Sequence, residues 1–299
     1  MSLIEAEAIE SELSPPFTVA LPEQLKVPLV FNSPHSGRIY PSTFLAASRL
    51  DSRALRRSED AYVEELFAFV TGLGAPLLHA HFPRAYLDVN REPYELDPIL
   101  FRDGLPHYAN TQSVRVVGGL GTIARIVSES DEIYREPLTV GAALERINRL
   151  YAPYHETLRD LLLAARNAFG VAVLIDCHSM PSSPIADQGG GRPDFVLGDR
   201  FGASCMPELT DCAADTLQRL GYTVCRNKPY AGGFITEHYG RPARGLHALQ
   251  IEVNRGLYMD EFRLEPHHGF ALLSEDLVKL AEALLSVVQN AESLREAAE

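Results

Sequence analysis

The stretch GVAVLIDCH, residues 170–178, decides the fold. It is apolar at every position from Val171 to Ile175. A strand with one face in water alternates, whereas an unbroken apolar run belongs to a strand covered on both faces. HALQIEVNR, residues 247–255, is nearly continuous in the same way, broken by Gln250 and Glu252. Two such runs predict central strands of a mixed or mostly parallel sheet with helices packed on it, the α/β class.

Working outward, further strands are predicted at 27–33, 75–82, 84–89, 194–198 and 222–226. Helices are predicted at 59–72, 139–168, 207–220 and 269–290. The 139–168 segment repeats apolar residues every 3.6 positions and ends at Gly170, but Pro153 within it predicts a kink or a division. Residues 92–138 hold Gly and Pro clusters and read as a long excursion of the kind that shapes a pocket. The organisation expected is an N-terminal arm (1–25), one catalytic domain (26–290) and a C-terminal tail (291–299).

The net charge of −13 repels nucleic acid and anionic membranes, and both are excluded as partners. An anionic substrate would need local arginines to overcome the same field. No apolar run approaches the roughly 18 residues of a membrane span, and no basic start precedes an apolar segment. Cys177, Cys205, Cys212 and Cys225 form no CxxC pair, so free thiols in a cytoplasmic setting are expected.

Ligands of such sheets sit outside the carboxyl ends of the strands. Four predicted strands end in reactive groups: His35; Asn90 and Arg91; Asp176, Cys177 and His178; and Glu252, Asn254 and Arg255. His35 and His178 share a His-Ser context after an apolar strand. Two imidazoles and a carboxylate are the three protein ligands of a catalytic zinc, with a position left for water. The acidic ligand stays open between Glu59 and Asp60, while Glu64 and Glu65 read as a solvated helix face. Glu252 lies in apolar surroundings and reads either as the partner of Arg255 or Arg91, or as a general base. Arg84 and Arg91 offer planar forks for a substrate carboxylate, or for Asp88 or Glu92 as ordinary ion pairs.

SPHSGRIYP, SEDAYVEELF, PRAYLDVNREP, YAPYHETL, LIDCHSMP, NKPYAGGFITEHYG and LQIEVNRGLYMD occur in this order between residues 33 and 260. In these blocks the chain resembles the N-formylglutamate amidohydrolases (N-formylglutamate deformylases) and, more distantly, zinc carboxypeptidase and aspartoacylase folds. The resemblance implies a three-layer α/β/α sandwich with a mixed central sheet. It implies Zn2+ held by His35, Asp60 and His178, with Co2+ or Mn2+ able to share such ligands. Glu252 would be the catalytic carboxylate, Arg84 a second polarising arginine, and Asn90 with Arg91 the holders of a substrate carboxylate. The substrate implied is a small anionic N-acyl amino acid, N-formyl-L-glutamate first. One departure stands out: the wider group commonly has His-x-x-Glu, and Arg38 occupies that fourth position here.

Asn227, Tyr230, Gly232, Gly233 and His238 are candidates for a wall that admits a formyl group and excludes longer acyl chains. His155 reads as a structural hydrogen-bonding residue and Cys177 as a buried thiol pointing away from His178. Asp176 is expected to support His178 only loosely, from the opposite face. Gly119, Gly121 and Ala124 match G-x-G-x-x-A after a strand-like run, but too little helix follows for a dinucleotide site.

Overall fold

The computed structural model describes residues 2–127, 131–182 and 193–296. Its sheet has seven strands: β1 (Phe17–Ala20), β2 (Leu29–Ser33), β3 (Leu77–Ala80), β4 (Ala172–Met180), β5 (Phe195–Gly198), β6 (Val224–Arg226) and β7 (Leu246–Asn254). Their order is β1-β3-β2-β4-β7-β5-β6. β2, β4 and β7 are parallel, β5 and β6 are parallel, and β5 runs antiparallel to β7. The sheet is therefore mixed. Every residue of β4 is buried, and all of β7 beyond Leu246, so both faces of the central strands are covered. This is the α/β layering that the two apolar runs demand.

The chain gathers into two compact units. One comprises Met1–Thr18, Pro34–Ala61 and Leu78–Leu158. Within it helix Ser2–Glu12 packs on helix Val140–Arg146. Buried Arg146 donates to Glu5, to the Tyr86 carbonyl and to the Tyr134 hydroxyl, and lies 3.9 Å from the Tyr86 ring centroid. The other unit comprises Val19–Ser33, Tyr62–Leu77 and Arg159–Glu299. It holds the central strands, helix Pro207–Arg219 and helix Gly269–Glu296, which pack on each other. Among the described residues no helix is long and apolar enough to cross a membrane.

Three predicted elements differ. Residues 84–89 are not a strand: the amides of Tyr86 and Leu87 both bond the Pro83 carbonyl, and Asp88 accepts from the amide of Asn90. Proline and an Asx-type bond turn the chain where a ladder would keep it extended. The helix expected at 59–72 shrinks to Val63–Leu66 plus a 3-10 turn at Ala68–Thr71. The amide of Asp60 is spent on the His35 carbonyl, and Tyr62 takes a positive φ of 65°. The helix expected at 139–168 contains a π segment, Ile147–Tyr151, just before Pro153. Proline lacks the N–H that would continue the α ladder, and a π turn absorbs the defect.

Candidate active site

Sheet register builds the first half of the site. Side chains two apart on a strand share a face, and directly paired residues of neighbouring strands share it too. Asn32 pairs with Asp176, Asp176 with Gln250, and His178 with Glu252. Five polar side chains from β2, β4 and β7 thus stand on one face, from the middle of the three parallel strands toward their carboxyl ends. All five are buried. Asn32 Nδ2 donates to Asp176 Oδ1 at 2.8 Å, and Gln250 Nε2 donates to Glu252 Oε1 at 2.8 Å. Asp176 Oδ2 lies 3.1 Å from His178 Nε2, off the N–H axis, and accepts no hydrogen bond. Asp176 therefore shares a face with His178 instead of opposing it, which corrects the reading from sequence. Cys177 points the other way; burial and the charge of Asp176 push its thiol well above the ordinary range.

The turn after β2 builds the second half. His35 and Asp60 are each 1% exposed. The Asp60 amide holds the His35 carbonyl at 3.0 Å, and Asp60 Oδ2 lies 3.4 Å from His35 Nδ1. The other ring nitrogen, Nε2, bonds Asp88 Oδ1 at 2.7 Å. Asp88 also takes Arg84 Nη2 at 2.9 Å, the Asn90 amide at 2.8 Å and Arg91 Nη2 at 3.5 Å. Burial pushes the Asp88 carboxyl up, but Arg91, His35 and Arg84 outweigh it and hold it well below the usual range. Arg91 is lowered to about 10 by burial and by Arg84, against the pull of Asp88.

Ligand atoms of His35, Asp60 and His178 all lie within 4.8 Å of one another, and all three residues are buried. Two imidazoles and a carboxylate match the donor set of a catalytic zinc. Two local features fit a cation. His35 is oriented by a carboxylate on Nε2, which directs Nδ1 toward Asp60. Asp176 Oδ2 is a buried carboxyl oxygen with no hydrogen-bond partner among the described residues. Glu59, the other acidic candidate, turns to Tyr40 (2.6 Å) and Arg56 (3.0 Å).

Other predicted residues take varied places. Arg91 donates Nε to the Leu120 carbonyl (2.8 Å) and Nη1 to the Asn90 carbonyl (2.7 Å), so its fork is rigidly mounted. Asn90 is buried beside it. Arg38, three residues after His35, is exposed. His155 bonds the Val89 carbonyl at 2.8 Å and stacks on Tyr151, as a structural residue does. Asn227 has a φ of 59° and ties its amide to Asp199 and to the Phe201 N–H, holding a turn. The Gly233 N–H donates to Gln250 Oε1 at 2.7 Å. Gly232 has a φ of 110°, a region that glycine alone enters without cost. Tyr230 is half-buried, and His238 stacks on Phe234. In the G-x-G-x-x-A stretch Val114–Val117 is a single helical turn capped by Ser113, not a strand, so the Rossmann arrangement is absent there.

Sequence reasoning assigned no site role to Asp88 or Gln250. Asp88 carried a signal: an acid between Leu87 and Val89, with arginines four before and three after. Gln250 lies two residues before Glu252, hence on the same strand face, inside an otherwise apolar run.

The model of the N-formylglutamate amidohydrolase family matches residues 27–259. N-formylglutamate deformylase of Pseudomonas aeruginosa is 32% identical over 243 residues, covering 79% of this chain and 84% of the relative. That of Pseudomonas putida is 31% identical over 245 residues, covering 80% and 84%. The crystal structure of N-formylglutamate amidohydrolase from Ralstonia eutropha JMP134 aligns with a TM-score of 0.85 at 38% identity, over 92% of this chain and 98% of that one. A family model that matches residues 27–259, and relatives above 30% identity over about four fifths of the chain, lead to one conclusion: the chain belongs to the N-formylglutamate amidohydrolase family.

Proposed function

We propose that the chain hydrolyses the formyl amide of N-formyl-L-glutamate to formate and L-glutamate, with residues 26–290 acting as one cytoplasmic catalytic domain. The observation that carries this reading is the buried His35, Asp60 and His178 group, with Glu252 paired to His178 across the sheet. The names of the relatives support the substrate. His35, Asp60 and His178 would hold a divalent ion, zinc by the chemistry of the donors, though cobalt and manganese accept the same set. Such an ion supplies Lewis acidity toward the formyl carbonyl and makes water more acidic.

Glu252 removes a proton from the attacking water as its oxygen bonds the formyl carbon. The same carboxyl returns that proton to the amide nitrogen as the C–N bond breaks, which releases formate and a free amine. Arg84 supports the negative charge that develops on the carbonyl oxygen. Arg91 and Asn90 hold a carboxylate of the substrate: among the described residues Arg91 Nη2 has just the long 3.5 Å ion pair to Asp88, which leaves hydrogens for an incoming anion. Tyr230 and Gly233 wall the acyl side, and Asn227 contributes by bracing that loop through Asp199.

Formate release tests the reading. Purified protein should release formate from N-formyl-L-glutamate, lose activity to a chelator and regain it with zinc. N-acetyl and N-succinyl glutamate should be poor substrates. If one of these is preferred, the site is right and the acyl assignment wrong; if no N-acyl amino acid is cleaved, the functional reading fails.

A further inference from the structure

We propose that Gln250 is a positioning residue that ties the loop at 231–234 to Glu252, so that the loop sets the orientation of the base. The proposal rests on the reading of Glu252 as general base. Gln250 is 4% exposed, in the middle of β7. The orientation of its amide is fixed by chemistry: the Gly233 backbone N–H can only donate, so the atom it meets at 2.7 Å is the carbonyl oxygen. The Thr236 hydroxyl reaches the same oxygen at 3.4 Å. The NH2 end must then face Glu252 Oε1, at 2.8 Å. The relay is therefore directional, from loop amide to Gln250 oxygen and from Gln250 nitrogen to the carboxylate.

The loop can lie on the strand because of one missing side chain. Gly198 pairs with Gln250 across β5 and β7. A Cβ at Gly198 would stand 2.6 Å from the Gly232 nitrogen and 2.8 Å from the Ala231 carbonyl carbon, both backbone atoms. A methyl there displaces the loop and pulls the Gly233 N–H from Gln250. A base mounted by a chain of hydrogen bonds is held in its reactive geometry before substrate arrives, and small misplacements of such groups are costly.

Gln250→Leu keeps the side chain's bulk and removes both bonds. We expect kcat on N-formyl-L-glutamate to fall about 10- to 100-fold, with KM, zinc stoichiometry and the absorption spectrum of the cobalt-loaded protein unchanged. A merely structural role would disturb KM or metal along with kcat. Gly198→Ala should lower kcat and also raise KM, because it moves the loop itself. Glu252→Gln supplies the control. Wild-type kcat in Gln250→Leu beside an inactive Glu252→Gln overturns this proposal alone. Full activity in Glu252→Gln overturns the base assignment and this proposal with it. Should Gln250→Leu fail to fold, Gly198→Ala decides, and wild-type kcat in that variant overturns the relay.

Discussion

Replacing Asp88 with asparagine isolates the charge that holds His35. Asp88 has four partners: His35 Nε2, Arg84 Nη2, the Asn90 amide and, at 3.5 Å, Arg91 Nη2. Oδ1 serves His35 and Asn90, while Oδ2 serves the two arginines. An asparagine with its oxygen at the Oδ1 position keeps the first pair. Its NH2 then faces two guanidinium groups, donor against donor, and the charge that lay between them is gone. Breaking a buried ion pair from one side costs about 3–5 kcal/mol. Arg84 is only partly buried, so the lower end applies, and about 3 kcal/mol corresponds to a Tm loss of roughly 5 °C for a chain of 299 residues. The imidazole keeps an acceptor but loses a charged one. Partners of this kind tune metal affinity by about 10- to 100-fold, and retention of the oxygen places Asp88→Asn near 10-fold. Competition with a chromophoric chelator measures zinc affinity, and melting curves in excess chelator separate folding from metal loss. Zinc affinity within two-fold of wild type, with Tm unchanged, would refute the role of Asp88.

Three further outcomes are expected. His178→Ala should abolish both stoichiometric zinc and formate release, read by elemental analysis and an enzymatic formate assay. Arg91→Ala should raise KM for N-formyl-L-glutamate by about 10-fold or more, the loss of one charge-assisted contact, with smaller effect on an uncharged N-formyl amide; an unchanged KM removes Arg91 from carboxylate binding. The last concerns acid stability. Burial pushes Asp199 up, but hydrogen bonds from Asn227, the Gly202 amide and Thr210 outweigh it, so its folded pKa lies below the ordinary value. A carboxyl lowered on folding contributes stability that is present above its unfolded pKa, about 3.9, and lost as pH falls through the folded value. Asn227→Ala should therefore lower Tm at pH 6 and flatten its decline below about pH 4, while an identical acid profile would show that the bond contributes nothing.

Local chemistry made much of the molecule legible. A mainly apolar run does not sit at a water-facing surface, so 171–175 and the nearly continuous run at 248–253 read as central strands, with the groups that follow them gathered at one sheet edge. His35, His178 and Glu252 were readable as candidates for that reason. The turn at 84–89 was not, because its run of apolar side chains carries the same period as a strand and only the hydrogen bonds at Pro83 and Asp88 distinguish the two. Which of Glu59 and Asp60 turns toward His35 was equally invisible locally. Adjacent acids have the same composition, and what separates them is that one meets His35 while the other meets Arg56 and Tyr40.

What the sequence by itself determined is the class of fold, the strand ends that carry chemistry and the pair of histidines, since strand periodicity and burial follow from neighbours in the chain. Only the tertiary structure decided who supports whom. Register across β2, β4 and β7 sets Asp176 and Gln250 beside His178 and Glu252. A turn far along the chain brings Asp88 to His35 across 53 residues. Contacts of that separation cost loop entropy and leave no period in the sequence, so they become visible only once the sheet has closed the distance.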